Sequence, residues 1–333
     1  MRRLEVGAAA RHPPPMPQPG ELPCSAPCSP GRSRSPERGA DVPTGFVEWR
    51  LGRGALPLVL SAPHGGRFAP AEIPDRTVGS KVADLFSLEL AQAVWASFPE
   101  GNRPALVASL LHRRKLDANR PKAEAAAGNE LAEAAWTEYH AALASELRQA
   151  VVAHGVALLL DIHGQSHRPA TELGYVLSSA DLRLLDGELD HKATSLAALH
   201  HLRPGAVPLS ELIRGSASLG ALLERVGFAC TPSPGQPCPV TEEAFAEAVA
   251  QGLPPPRYFP GNYTTRRYGS PGVVPADENP LSPAEVGAWA GRVAAIQVEA
   301  ERLVREESNR KAFAAALRDA AMEFLALHAG WHP

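Results

Sequence analysis

Two histidines stand just past short apolar runs, at His64 after Leu56–Leu60 and at His163 within Leu158–Gly164. Imidazole is the commonest protein ligand for zinc, and two histidines with one carboxylate leave a coordination position open for water. A metal held that way polarises a carbonyl and activates water. Neither histidine lies in an HExxH or CxxC arrangement, so each also fits a structural role. Asp161 lies two residues before His163, and strand alternation puts both on one face. Glu299 closes another apolar run, Ile296–Glu299. A glutamate there is costly to bury unpaired, so it is exposed, salt-bridged, or held beside a metal as a general base.

A third polar block, His112–Arg120, follows the apolar run Pro104–Leu111. Its Arg113, Asn119 and Arg120 suit a carboxylate, since a guanidinium fork binds both oxygens at once; the alternative is a solvated charge run. Tyr263 and Tyr268 lie in a polar aromatic stretch and either pack the loop or donate to a developing oxyanion. No GxSxG elbow, P-loop or GxGxxG stands between a strand and a helix, which removes support for a serine hydrolase or a nucleotide enzyme.

The elements that must position these groups alternate. Strands are expected at Leu56–Leu60, Pro104–Leu111, Leu158–His163, Gly174–Ser178, Phe228–Thr231 and Val293–Glu299, as short apolar runs bounded by turn signals. Helices are expected over Val82–Phe98, with Asp84 in the first turn, over Ala123–His154, over Ser218–Gly227 and over Asn309–His328. Ser282 to Glu285 is a capping-box start. Between them, 254–269 is expected to be an irregular loop, of the kind that is functional or disordered when long. The rhythm predicts one α/β domain over 45–333, with a mostly parallel, mixed sheet flanked by helices. Residues 1–44 are rich in Pro, Gly, Ser and Arg without periodicity and are expected to be disordered.

Composition limits the partners. A 44% hydrophobic content is ordinary for a globular chain, and a net charge of −3 with a pI near 6.5 supplies no basic field for nucleic acid or an anionic membrane. Cys24, Cys28, Cys230 and Cys238 are too few and too uneven for a disulfide scaffold and are expected to be reduced thiols. No run reaches the roughly 18 apolar residues of a membrane helix, and the N-terminus lacks the apolar middle of a secretory leader. A cytoplasmic location is expected. The arginines of the N-terminal segment leave an organelle transit peptide open, against which its acids and prolines count.

Taken in order, Ser61–Gly66, the segment from Asp84 to Leu90, Arg113 with Leu116–Arg120, Leu160–Gly164, Gly261–Tyr263 with Tyr268–Gly269, and Ile296–Glu299 resemble the N-formylglutamate amidohydrolase family. That family is similar in fold and site layout to zinc carboxypeptidases, and the resemblance spans about residues 50 to 305. It implies one zinc ion held by His64 and His163, with Asp117 orienting His64 from behind; Asp161, on the same strand face as His163, is expected to support that histidine. It further implies that Asn119 and Arg120 grip a substrate carboxylate, with Tyr263 and Tyr268 beside the substrate. Arg113 would polarise the scissile carbonyl and Glu299 would serve as base and then proton donor. The implied reaction is hydrolysis of the amide of a small N-acyl amino acid. Carboxypeptidases carry a glutamate three residues after the first histidine, and Arg67 stands there. The third ligand is therefore expected to be Asp84, with Glu72 as the alternative. A homologue that keeps the arginine grip without the metal, or a carboxypeptidase-like peptidase or other deacylase, are the competing expectations.

Overall fold

The protein is described by a computed structural model over residues 44–200, 207–254, 256–269 and 282–332. The expected disorder of 1–44 falls almost wholly outside these residues, as do Cys24 and Cys28. Among the described residues, seven strands form one sheet: β1 (Val47–Arg50), β2 (Leu58–Ala62), β3 (Ala105–Ser109), β4 (Ala157–Gly164), β5 (Thr171–Gly174), β6 (Cys230–Thr231) and β7 (Val293–Ala300). Their order is β1-β3-β2-β4-β7-β5-β6. The central four, β3-β2-β4-β7, run parallel, while β1 and β5 are antiparallel to β3 and β7.

Strands covered on both faces carry near-continuous apolar sequence, and β2, β3, β4 and β7 are buried throughout apart from Gly164 at the end of β4. Alternation divides them. Leu58, Leu60, Leu158, Leu160, Ile296 and Val298 face one core, shared with residues of the Ser87–Ser97 and Glu307–Ala329 helices. Val59, Leu159 and Ala295 face the other, against Tyr139, Leu143 and Leu147 of the Glu130–His154 helix. That helix starts where the Asn129 side chain accepts from the Ala132 N–H and stops at Gly155, whose φ of +79° suits a residue without Cβ.

On this second face the apolar row ends abruptly. Across the register, Ser61 lies opposite Asp161 and Asp161 opposite Gln297. One pleat further on, His163 lies opposite Glu299. Three parallel strands, β2, β4 and β7, thus deliver polar side chains to a common edge, where ligands collect in open α/β sheets.

Three expectations need correcting. The Val82–Phe98 helix begins only at Ser87. The Asp84 backbone N–H donates to the His64 carbonyl, and Phe86 adopts φ +65°, so 82–86 is a loop drawn to the end of β2. The strand expected at Gly174–Ser178 lies earlier, at Thr171–Gly174. Its continuation is bent away by the backbone of Pro260 and Gly261, with the Val176 N–H donating to the Pro260 carbonyl; Tyr175 and Leu177 are apolar because they fill the core, not because they extend a ladder. The 254–269 stretch contains a helix, Tyr263–Gly269. The C-terminal helix spans Glu307–Ala329, around the expected 309–328. Cys230 and Cys238 are free thiols, and among the described residues no helix is long and apolar enough to cross a membrane.

Leu160 is fully buried at the centre of β4. Leu160→Ala is expected to lower unfolding free energy by about 2–5 kcal/mol, measured by urea denaturation; an unchanged midpoint would contradict the packing described.

Candidate metal centre

His64 leaves β2 just before Gly65, where a Cβ would lie 2.3 Å from the Leu88 backbone nitrogen. Only glycine lets the loop lie that close, and the approach brings His64 to Asp84. The Nδ1 of His64 is 3.2 Å from Asp84 Oδ2, and the Nδ1 of His163 is 3.1 Å from the same oxygen. The Gly164 N–H also points at it, at 3.3 Å. The two imidazoles meet edge to face with centroids 4.6 Å apart.

The far side of each ring is anchored. His64 Nε2 lies 2.7 Å from Asp117 Oδ1, and His163 Nε2 lies 2.9 Å from Asp161 Oδ2. Asp117 and Asp161 are fully buried. Hydrogen on the Nε2 that faces the fully buried carboxylate leaves the Nδ1 of a neutral ring pointing inward as a lone pair, and on a charged ring both nitrogens carry hydrogen. With both rings neutral, two lone pairs and a carboxylate oxygen face one point, an arrangement that requires positive charge among them. Protons meet that need in the metal-free chain, and a divalent cation meets it better. Ligand distances of about 2.0–2.1 Å in a tetrahedral zinc site give ligand–ligand separations of about 3.3 Å, close to the two separations seen here. Histidines backed by carboxylates are the usual support of such sites. The donor set fits a metal, and Glu72, the alternative third ligand, is exposed on the surface and outside the cluster.

The electrostatics follow from this crowding. Burial pushes the His163 pKa down, but the Asp161 charge, hydrogen bonds to Asp161 and Asp84, and the Glu299 charge outweigh it and hold the imidazole well above 6.5. Asp84 and Asp117 go the other way: burial raises each, but His64 and their other partners hold both well below the ordinary carboxylate range. Glu299 lies with Oε1 3.9 Å from His163 Nδ1, beyond the reach of a hydrogen bond. Burial raises its carboxyl, His163 opposes, and the charges of Asp84 and Glu172 add to the rise, leaving it at about 8.

The surrounding side chains brace this core. Arg113 donates from Nε to Asp117 Oδ2 at 3.0 Å and from Nη1 to Asp84 Oδ1 at 3.3 Å. Ser61 Oγ donates to Asp161 at 2.5 Å. Gln297 donates to Glu299 Oε1 at 2.8 Å and is itself fixed by the Asn262 N–H. Asn119 is buried, with Oδ1 accepting from the Thr264 N–H at 2.8 Å and Nδ2 3.4 Å from His163 Nε2. Arg120 is one-third exposed, 3.9 Å from Glu124. Arg267 donates to the Tyr263 hydroxyl. The Tyr268 hydroxyl is buried 3.1 Å from both His140 Nδ1 and the His140 carbonyl.

A cavity of about 390 Å³ meets the cluster at Asp84, Arg113 and Gly164, and is walled further by His167, Arg257, Phe259 and Arg305. Asn119, Arg120, Tyr263 and Tyr268 are not among the residues that line it. Sequence reasoning missed Ser61, Gln297, Arg76 and Arg305. Ser61 and Gln297 could have been found by extending the period-two row of Asp161–His163 to the neighbouring strands. Buried Arg76, 3.6 Å from Asp117, carries no local signal.

An α/β fold with a His–Asp–His candidate metal centre at the ends of parallel strands is therefore the class of protein the coordinates define. No known protein family and no curated protein matches the chain by sequence. Among solved structures, it is similar to the N-formylglutamate amidohydrolase from Ralstonia eutropha JMP134, at 19% identity and a TM-score of 0.41, covering 85% of this chain and 97% of that one. A gene product from Agrobacterium tumefaciens is similar at 13% identity and a TM-score of 0.41, over 85% of this chain and 94% of that one.

His140 ties the Asp117–Arg120 turn to the Glu130–His154 helix behind it, its Nε2 donating to the Ala118 carbonyl at 2.9 Å. Burial, with the Arg267 charge, holds its pKa well below 6.5 against that hydrogen bond. The unfolded chain then binds a proton that the folded chain refuses, so this contribution to stability is present above pH 6.5 and is lost as pH falls below it. His140→Gln, which cannot titrate, is expected to flatten the decline in urea midpoint between pH 7 and pH 5. An equally steep decline in the variant would refute the assignment.

Proposed function

We propose that this chain is a zinc-dependent amidohydrolase that cleaves the amide of a small N-acyl amino acid. The observation that carries the reading is the convergence of the two inward-facing Nδ1 atoms on Asp84 Oδ2, with each Nε2 held on a buried carboxylate. The motif resemblance suggests the reaction class, and the converging donors support it.

His64, Asp84 and His163 would hold the metal. A bound divalent cation supplies Lewis acidity, polarising the scissile carbonyl and acidifying water. Glu299 stands next to that point with Oε1 tied to Gln297, which leaves Oε2 to carry a proton. Burial raises this carboxyl to about 8 in the metal-free chain; the charge of a bound cation would lower it again, so that Glu299 could accept a proton from attacking water and return it to the departing amine near neutral pH. Arg113 lines the cavity and presents its guanidinium to the carbonyl oxygen, where positive charge stabilises the developing anion. Of the cationic side chains that could meet the substrate carboxylate, Arg257 is on the cavity wall, while Arg120, which the resemblance implies for that role, stands off it beside Glu124. Asp161 and Asp117 support His163 and His64, and Asn119, Tyr263 and Tyr268 hold the turn beneath them.

Purified protein loaded with zinc and freed of excess is expected to keep about one ion per chain and to hydrolyse N-formyl or N-acetyl amino acids, with activity lost to a chelator and regained on adding zinc. Absence of metal, with no affinity on adding it, sinks the hydrolase; cleavage of short peptides alone moves the reading to a carboxypeptidase-like enzyme. Glu299→Gln is expected to lower kcat by about 10²- to 10⁴-fold while zinc content is unchanged. Retained turnover would remove Glu299 from the chemistry.

A further inference from the structure

Arg305 is an arginine that neither the motifs nor the proposed reaction uses, yet it is 97% withdrawn from solvent, with only 3% exposed. Its guanidinium sits where three segments meet. Nε donates to the carbonyls of Ala300 and Glu301 at 3.0 and 3.3 Å. Nη2 donates to the Gln165 carbonyl at 2.8 Å and to Ser166 Oγ at 3.4 Å. Nη1 donates to the Leu85 carbonyl. Each acceptor segment adjoins a residue of the centre: Leu85 follows Asp84, Gln165 lies two residues after His163, and Ala300 follows Glu299.

The space for this group is built in. A Cβ on Gly164 would lie 2.4 Å from the Arg305 Cζ, so the residue after His163 must be glycine for the guanidinium to reach the junction. The Asp84 loop has no strand partner and begins no helix until Ser87. Besides the Asp84 N–H on His64 and the carboxylate's own contacts, the Leu85 carbonyl on Arg305 is what ties it to the β4 end.

We propose that Arg305 is a positioning residue for the metal centre: one buried fork sets the spacing of the Asp84 loop from the ends of β4 and β7, and so fixes where the Asp84 carboxylate stands relative to His163 and Glu299. The inference rests on the metal-site reading above and adds to it a determinant of metal affinity outside the ligand set. Five donors in one plane can satisfy three backbone segments together. A lysine ammonium carries the same charge as a point on a flexible stem and cannot span them.

The test measures zinc affinity by competition with a chromophoric chelator, alongside the unfolding midpoint of the metal-free protein. For the unaltered chain, failure to bind zinc overturns the metal site itself, separately from this inference. If it binds, Arg305→Ala is expected to weaken zinc about 10- to 100-fold, the range seen when groups supporting metal ligands are removed. Millimolar ethylguanidinium, which fits the vacated space, is expected to restore most of the loss. Arg305→Lys, which keeps charge and stem, is expected to bind zinc almost as weakly and to gain nothing from ethylguanidinium; it carries the same expectation if the alanine variant does not fold. Gly164→Ala should weaken zinc similarly, and combining it with Arg305→Lys should add little, because both displace one fork. Folded Arg305 variants with unaltered zinc affinity, a loss that ethylguanidinium does not repair, or additive effects of the two substitutions would each overturn the proposal.

Discussion

Everything in this structure depends on a charge constraint: two imidazole Nδ1 atoms and a carboxylate oxygen face one point among largely buried side chains. Such a convergence is unstable without a cation at its centre, so the surrounding protein must either supply protons or hold a metal. The paired carboxylates behind the rings make this arrangement persistent. Asp117 and Asp161 each hold the Nε2 of one ring, and Ser61, Arg113 and the Asn119 N–H in turn hold those carboxylates. The polar network is expensive to bury. Its cost is offset by near-complete mutual satisfaction and by the apolar layers on either side of the sheet.

The sheet converts this constraint into geometry. Because β2, β4 and β7 are parallel and in register, residues of one row arrive side by side without any loop having to find its place. Ser61, Asp161 and Gln297 form one row, and His163 and Glu299 form the next. The catalytic proposal for Glu299 depends on that register. A slip of one residue would turn His163 or Glu299 to the opposite face. The components that do come from loops, Asp84 and the Arg113–Asn119 turn, are each tied back by several hydrogen bonds, as loops that bear functional groups on a rigid scaffold must be.

Much of the site was legible before any coordinates. A histidine directly after an apolar run, and an Asp-x-His pair at the end of another, mark strand ends and shared faces by local rules alone. The convergence of His64 and His163 was expected on those grounds together with the motif resemblance. Asp84 shows where the reasoning ran out. Its neighbours Leu85, Leu88, Val94 and Trp95 have helical spacing, but its backbone is drawn to His64 and the helix starts later. Periodicity reports burial, and it cannot report which backbone groups a distant loop will claim. The strand misplaced at Gly174–Ser178 has the same origin, since Tyr175 and Leu177 are apolar through core contact.

By itself, then, the sequence determined the alternation of strands and helices, the residue types that hold protons and metals, and their arrival at strand ends. These follow from short-range periodicity and side-chain chemistry. Only the tertiary structure decided that Asp84 and not Glu72 faces the histidines, that the Asn119 amide oxygen is occupied by the Thr264 N–H, and that Arg76 and Arg305 are buried at the centre. Those outcomes depend on contacts between segments 20 to 220 residues apart, where a guanidinium is placed by the carbonyls that chain folding brings to it and not by the residues beside it in sequence.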